Sequence, residues 1–365
     1  MSFNVLTAVS VNKSLEHDCK SIKNDLNNLS INWTKNNSKK DKSNLPFVER
    51  FRPDTLDGIM SHGETVKILK KYINRHDIPH LLFYGPPGTG KTSTIESFVN
   101  ELYGSDGVDF MTMNINASEE RGIEIVRNKI KDFVSTRPLR PGNPGSPNYK
   151  FVILDEADAM TLDAQGMLKQ VIEYFTDNAR FCLICNCIKK INPAIQSRCS
   201  IFNFPPLDFN SVKKKIGYIA NEFNFTVTRD GVETLWKLSN GDMRKVLHIL
   251  QVISINNKII DSEKITKFKN YPTNKEMNTM FKTFLKGDLV ASNEFIKTLI
   301  KKNHYSLTDI IAELTFRISN ALIGRKLDPF KGAILLINLR DIEMNIIVTT
   351  DTDIQMSSIA SIFTN

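Results

Sequence analysis

Short apolar runs alternate with amphipathic stretches from Leu45 to about Pro206. The runs fall at 80–84, 110–115, 149–154, 180–187 and 200–204. The stretches 92–103 and 121–134 repeat apolar residues at helical spacing. Strands alternating with helices predict a parallel sheet with helices on both faces. Phe151-Val-Ile-Leu154 is apolar at every position, as a strand buried on both sides requires. The segment 137–148 is too rich in Pro and Gly for a regular element and predicts a long surface loop. Pro205-Pro206 closes the fifth strand and marks a boundary. Beyond it the pattern predicts several short helices to about 270, then helical periodicity from 271 to the end. Residues 1–44 are rich in Asn, Lys and Ser. They hold too little apolar surface to offset the entropy of ordering, which predicts a disordered tail. The expected division is therefore a tail 1–44, an α/β domain 45–206, a helical domain 207–270 and an all-α domain 271–365. No internal repeat is visible.

Composition adds limits. With 365 residues, 41% hydrophobic and 24% charged, the chain has ordinary globular make-up. Two or three domains are expected for that length, and fibrous classes are excluded. No apolar run approaches the ~18 residues of a membrane helix. The first residues lack a charged leader, so no signal peptide and no membrane partner are expected, and the protein reads as soluble and intracellular. Lys and Arg number 48 against 40 Asp and Glu, a net charge of +8. That excess favours anionic partners such as DNA, RNA or nucleotides through one basic surface. Of the five cysteines, Cys182, Cys185, Cys187 and Cys199 cluster, but inside an apolar strand pattern. Cys182 and Cys185 would face opposite sides of that strand, so core thiols are expected rather than a metal site.

The strongest chemical signal is Gly85-Pro-Pro-Gly-Thr-Gly-Lys-Thr92, directly after one strand and before one helix. This is a phosphate-binding loop in the context the motif needs. Gly85, Pro86, Pro87, Gly88, Thr89, Gly90, Lys91, Thr92 and Ser93 are the expected nucleotide contacts. The glycines let backbone N–H groups close around phosphate, and the helix N-terminus adds its dipole. Lys91 is expected on the β- and γ-phosphates, and Thr92 on Mg²⁺ through its hydroxyl. The second signal is Phe151-Val-Ile-Leu-Asp-Glu-Ala-Asp158, an apolar strand ending in acids. Asp155 is expected to face the same Mg²⁺, and Glu156 to polarise the attacking water. Asp158 is expected to cap the next helix. Together the two motifs define a domain that binds ATP with Mg²⁺ and hydrolyses it. Asp-Glu-Ala-Asp also leaves a helicase reading open.

Further pieces carry a resemblance. They are Pro46-Phe-Val-Glu-Arg-Phe-Arg-Pro53, Asn116-Ala-Ser-Glu-Glu-Arg-Gly-Ile123, Leu154-Asp-Glu-Ala-Asp-Ala-Met-Thr161, Asp163-Ala-Gln165, Pro193-Ala-Ile-Gln-Ser-Arg-Cys199 and Gly241-Asp-Met-Arg244. In this order, with the phosphate-binding loop, they resemble the replication factor C small subunits, sliding-clamp loaders of the AAA+ class. The match runs from Leu45 to about Gln251 and more weakly to the C-terminus. The wording around Val171-Ile-Glu173 and Arg180-Phe-Cys182 is closest to the human fifth and yeast third subunits.

The resemblance implies an α/β P-loop AAA+ domain with a five-stranded parallel sheet. A small helical lid domain and an all-α C-terminal collar domain for oligomerisation would follow. It implies that Asn186 is a polar sensor orienting the lytic water, and that Arg244 is a lid arginine on the γ-phosphate. Val48 and Arg52 would contact the nucleotide. Arg198 would be an arginine finger acting in trans on a neighbour's site. Arg127 and Lys131, four apart on one helix face beside Lys129, would grip DNA phosphates without reading sequence. Two departures stand out. Met167-Leu-Lys-Gln170 replaces the usual Ala-Leu-Arg-Arg and loses one basic charge, and Phe47 replaces Trp. The implied function is a subunit of an ATP-dependent loader that opens a sliding clamp and places it on primer–template DNA. DNA would trigger hydrolysis. The implied partners are the other subunits of a hetero-pentamer, the clamp and the DNA, in the nucleus or at a viral replication site. Another AAA+ DNA remodeller or helicase, or a nucleotide-binding structural subunit without turnover, stand as alternatives. Intact Glu156 and Asn186 weigh against the last.

Overall fold

The computed structural model describes residues 44–104, 107–119, 122–136, 148–348 and 351–363. The expected tail, but for Asn44, and the expected loop, but for Asn148, lie outside these residues. The chain divides into two units, 1–52 and 53–365. In the first, Phe47–Arg50 forms a single helical turn, α1, after Pro46. Arg52 pairs with Glu49 at 3.4 Å, and the Phe47 and Phe51 rings meet edge-on at 5.4 Å.

The second unit begins with α2 (Gly63–Arg75), β1 (His80–Tyr84), α3 (Lys91–Tyr103), α4 (Val108–Met111) and β2 (Thr112–Asn116). A π-helical segment at Ile125–Ile130 leads into α5 (Lys131–Ser135), then β3 (Lys150–Asp155). α6 (Leu162–Tyr174), β4 (Ala179–Cys185), α7 (Pro193–Gln196) and β5 (Cys199–Asn203) complete the α/β part. The five strands lie in the order β2-β3-β4-β1-β5, and every pairing is parallel. Side chains alternate between two cores. Leu82, Val152, Leu154, Leu183 and Cys185 bury on one face. Leu81, Phe83, Phe151, Ile153 and Cys182 bury on the other. The two cysteines thus sit back to back, and burial pushes the Cys185 thiol up to about 12. β1 lies between β4 and β5, so the chain leaves its carboxyl end where the strand order reverses. Open α/β sheets bind ligands in that crevice.

Three expectations change here. The strand expected at 110–115 starts at Thr112, because Val108–Met111 closes a helical turn and leaves Phe110 exposed. The fourth strand ends at Cys185, which puts Asn186 just beyond it. The helix expected over 121–134 contains a π turn. Ile125, Val126, Ile130 and Val134 all bury along that helix.

After Pro205-Pro206 come α8 (Phe209–Glu222), α9 (Arg229–Ser239), α10 (Met243–Asn256) and α11 (Ser262–Lys269). Side chains of Thr228, Asp242 and Asp261 cap the last three. A two-stranded parallel pair, β6 (Thr226–Val227) with β7 (Ile259–Ile260), joins them. Two-residue strands carry no periodicity, so the helical pattern hid them. The C-terminal part holds α12 (Asn274–Phe284), α13 (Leu289–Asn303), α14 (Leu307–Ile323), α15 (Pro329–Val348) and α16 (Thr352–Ser361). Its own core includes Met280, Phe284, Ile296, Ile310, Leu314, Leu339 and Ile359. Buried Glu313 of α14 pairs with Arg317, with Lys237 of α9, and with the Tyr271 hydroxyl at 2.9 Å. Among the described residues no helix is long and apolar enough to cross a membrane.

Candidate active site

The loop after β1 is built around one ammonium group. Lys91 is buried, and its Nζ donates to the Gly85 carbonyl at 2.7 Å, the Pro86 carbonyl at 2.8 Å and Asn186 Oδ1 at 3.1 Å. Burial lowers the Lys91 pKa; Asp155 opposes this and the nearby Arg244 charge adds to it. The Thr92 hydroxyl donates to Asp155 Oδ2 at 2.8 Å. The other oxygen, Oδ1, accepts the Glu156 N–H at 2.8 Å. Glu156 itself is exposed, in a left-handed conformation at φ 53°. β1, β3 and β4 therefore bring Lys91, Thr92, Asp155 and Asn186 together at their carboxyl ends, with Glu156 adjoining Asp155.

Asp158 does not cap the following helix. Thr161 does, accepting the Ala164 N–H at 3.2 Å. Asp158 instead accepts the backbone N–H groups of Asn186 at 3.4 Å and Cys187 at 3.3 Å. It holds the peptide that carries Asn186.

The loop is also held from outside. His62 Nε2 lies 3.0 Å from the Thr89 carbonyl, an atom that only accepts, so that nitrogen carries the proton. Its ring packs edge-on to Phe204 at 4.8 Å. Thr89 Oγ1 donates back to the Pro86 carbonyl at 3.0 Å. Gly85 has φ +148°, and a Cβ there would lie 2.1 Å from the Phe204 carbonyl oxygen. At the start of α10, Met243 N–H donates to the Gly88 carbonyl at 3.0 Å. The lid thus rests on the loop, and Arg244 stands in the first turn of that helix.

Other expected site residues lie apart from this cluster. Arg198 follows α7; its guanidinium pairs with Glu173 and donates to the Ala194 carbonyl at 2.6 Å. Arg127 and Lys131 are exposed on the π turn and the first residue of α5. Lys129 between them borders a cleft of about 480 Å³ that also touches Thr92, Asn114, Asn116 and Asp155. Val48 and Arg52 belong to the first unit.

Sequence reasoning missed His62, which has no local signal. Asp163-Ala-Gln165 carries part of the resemblance, which assigns no role to the amide. Gln165 is buried; its amide donates to the Lys190 carbonyl at 3.1 Å and its oxygen accepts the Asn192 N–H at 2.7 Å. Through it α6 grips the loop that ends in Arg198.

Residues 81–207 match the ATPase family associated with various cellular activities (AAA), and residues 272–361 match the replication factor C C-terminal domain. The human replication factor C subunit 5 is 39% identical over 88% of this chain and 92% of its own. The chain belongs to the replication factor C subunit family. A probable subunit 5 of Caenorhabditis elegans is also 39% identical, over 88% of this chain and 87% of that protein. Subunit 3 of Saccharomyces cerevisiae is 38% identical over 75% and 80%. The resemblance to the human fifth and yeast third subunits therefore holds, and so does the AAA+ architecture with a helical C-terminal region. A solved Thermotoga maritima RuvB Holliday junction branch migration motor overlays with a TM-score of 0.47 and 15% identity, over 71% of this chain and 88% of that one.

Proposed function

We propose that this chain is an ATP-hydrolysing subunit of a hetero-oligomeric clamp loader that opens a sliding clamp and places it on primer–template DNA. The observation that carries the reading is the convergence of Lys91, Thr92, Asp155 and Asn186 within hydrogen-bond distance. A hydroxyl and a carboxylate oxygen 2.8 Å apart are the hard donors that suit Mg²⁺. Thr92 and Asp155 would hold the ion, which would supply positive charge against the negative charge of the phosphates.

The chain's own groups do the rest. Lys91 exchanges its loop carbonyls for the β- and γ-phosphates. The N–H groups of the loop from Gly85 to Ser93 close on the same phosphates. Glu156 polarises the attacking water, and Asn186, steadied by Asp158, orients it. Arg244 reaches the γ-phosphate from the lid, and Val48 and Arg52 contact the nucleotide from the N-terminal segment. Arg198 acts on the neighbouring subunit's nucleotide. Arg127 and Lys131 hold DNA by phosphates, which gives affinity without sequence reading. The work is nuclear, or at a viral replication site.

The test uses Lys91→Ala and Glu156→Gln in the loader assembled with its partner subunits. Lys91→Ala is expected to abolish tight ATP binding at this site, and Glu156→Gln to keep binding and lose turnover. Equal ATP affinity in Lys91→Ala and wild type would refute the assignment. Unchanged turnover in Glu156→Gln would leave a nucleotide-binding subunit that does not hydrolyse.

A further inference from the structure

We propose that Glu173 is a positioning residue for Arg198, holding its guanidinium in the orientation it presents to a neighbouring subunit. The inference rests on the reading of Arg198 as an arginine finger. It adds a residue on a different helix that fixes the finger's aim.

Arginine has many side-chain rotamers, so an unrestrained finger would sample many directions. Here the planar group is held from two sides. Nη2 pairs with Glu173 Oε1 in the last turn of α6. Nη1 donates to the Ala194 carbonyl of α7 at 2.6 Å and lies 3.4 Å from Ser197 Oγ. An arginine has five N–H donors. Among the described residues, Nε–H and one Nη2–H are left over, enough for a phosphate. The group is thus restrained without being consumed.

Glu173 Oε1 also lies 3.8 Å from Lys169 Nζ, one turn earlier on α6. Arg198 is the nearer of its two cations. The side chains of Arg198 and Glu173 are 36% and 39% exposed. Exposed pairs contribute little to stability, so the consequence of this one belongs in turnover rather than in folding.

The experiment compares wild type, Glu173→Ala, Arg198→Ala and the double variant in the assembled loader with saturating ATP and primer–template DNA. Glu173→Ala is expected to lower kcat about two- to five-fold, the size an exposed pair supplies. ATP affinity at this chain's own site and the thermal midpoint should not move. Glu173→Gln keeps an acceptor for Nη2 and should recover part of the loss. In the Arg198→Ala background Glu173→Ala should have no further effect. Two results overturn the proposal: full kcat in Glu173→Ala, or an equal loss with and without Arg198. If Arg198→Ala itself leaves turnover intact, the finger reading fails first, and that result is read separately from the other two.

Discussion

Alanine at Gly88 tests whether the lid is seated on the phosphate-binding loop. Gly88 has φ +68°, a left-handed conformation that L side chains adopt at a cost. A Cβ there would lie 1.6 Å from Asp242 Oδ1 and 2.3 Å from its Cγ. Asp242 cannot swing aside freely, because the same oxygen caps α10 through Arg244 N–H at 2.9 Å and Lys245 N–H at 3.4 Å. The left-handed alanine costs about 1 kcal/mol. A displaced cap costs about 1 kcal/mol more. The lost Met243–Gly88 hydrogen bond adds about 1 kcal/mol. The total of ~3 kcal/mol, at roughly 2 °C per kcal/mol for a chain this long, lowers the thermal midpoint by ~6 °C. Asp242→Ala alone removes the cap and costs ~1 kcal/mol, but it opens the space. The double variant should then cost ~2 kcal/mol, against the ~4 kcal/mol of simple addition. Thermal unfolding of the four proteins reads this directly. If the double variant falls by the sum of the two singles, Asp242 does not press on Gly88 and the seating is wrong.

A pH effect and a salt effect follow from other contacts. His80 is buried, its Nδ1 accepts the Phe181 N–H at 3.2 Å, and burial with the Arg180 charge lowers its pKa from 6.5 to about 4. Between those values the unfolded chain takes up a proton that the folded chain refuses, so stability falls as pH drops through the window, by ~3 kcal/mol in all. His80→Asn keeps an acceptor and should flatten the fall; denaturant midpoints at pH 7 and pH 4.5 check it. For DNA, Arg127→Ala with Lys131→Ala should reduce the slope of log affinity against log salt by about 2, with no change in sequence preference. Anisotropy titrations of the assembled loader across a salt series measure that slope, and an unchanged slope places the phosphate contacts elsewhere.

What could be read from sequence was contiguous. Gly85 to Thr92 and Phe151 to Asp158 each fit in one short window, and the strands around them are apolar enough to announce themselves. The contacts that shape the site are not contiguous. His62 meets Thr89 across 27 residues, and Gln165 meets Lys190 across 25. No period or motif encodes such meetings. Asp242 shows the intermediate case. An Asp directly before a helix suits the cap position, and in the structure its side chain caps α10. Its second role, filling the space left by Gly88, exists only once the lid is placed. Asp158 went the other way: a cap was expected, but Thr161 took the helix and freed the carboxylate for the Asn186 peptide.

The phosphate-binding loop is held by three separate parts of the chain. Asn186 just beyond β4 takes the ammonium of Lys91, His62 takes the Thr89 carbonyl, and Met243 of α10 takes the Gly88 carbonyl. A phosphate that draws Lys91 away from the Gly85 and Pro86 carbonyls also takes it from Asn186, while His62 and Met243 hold the neighbouring Thr89 and Gly88 carbonyls. Of these, the lid has the longest reach. α9 precedes α10 by a three-residue link and carries Lys237, which pairs with buried Glu313 of the C-terminal part. If α9 parted from α14, Glu313 would lose the Lys237 charge and keep Arg317 and the Tyr271 hydroxyl as partners. Contacts thus run from loop to lid to C-terminal part without a break, and a lid displaced by nucleotide must carry α14 with it or lose the Lys237–Glu313 pair.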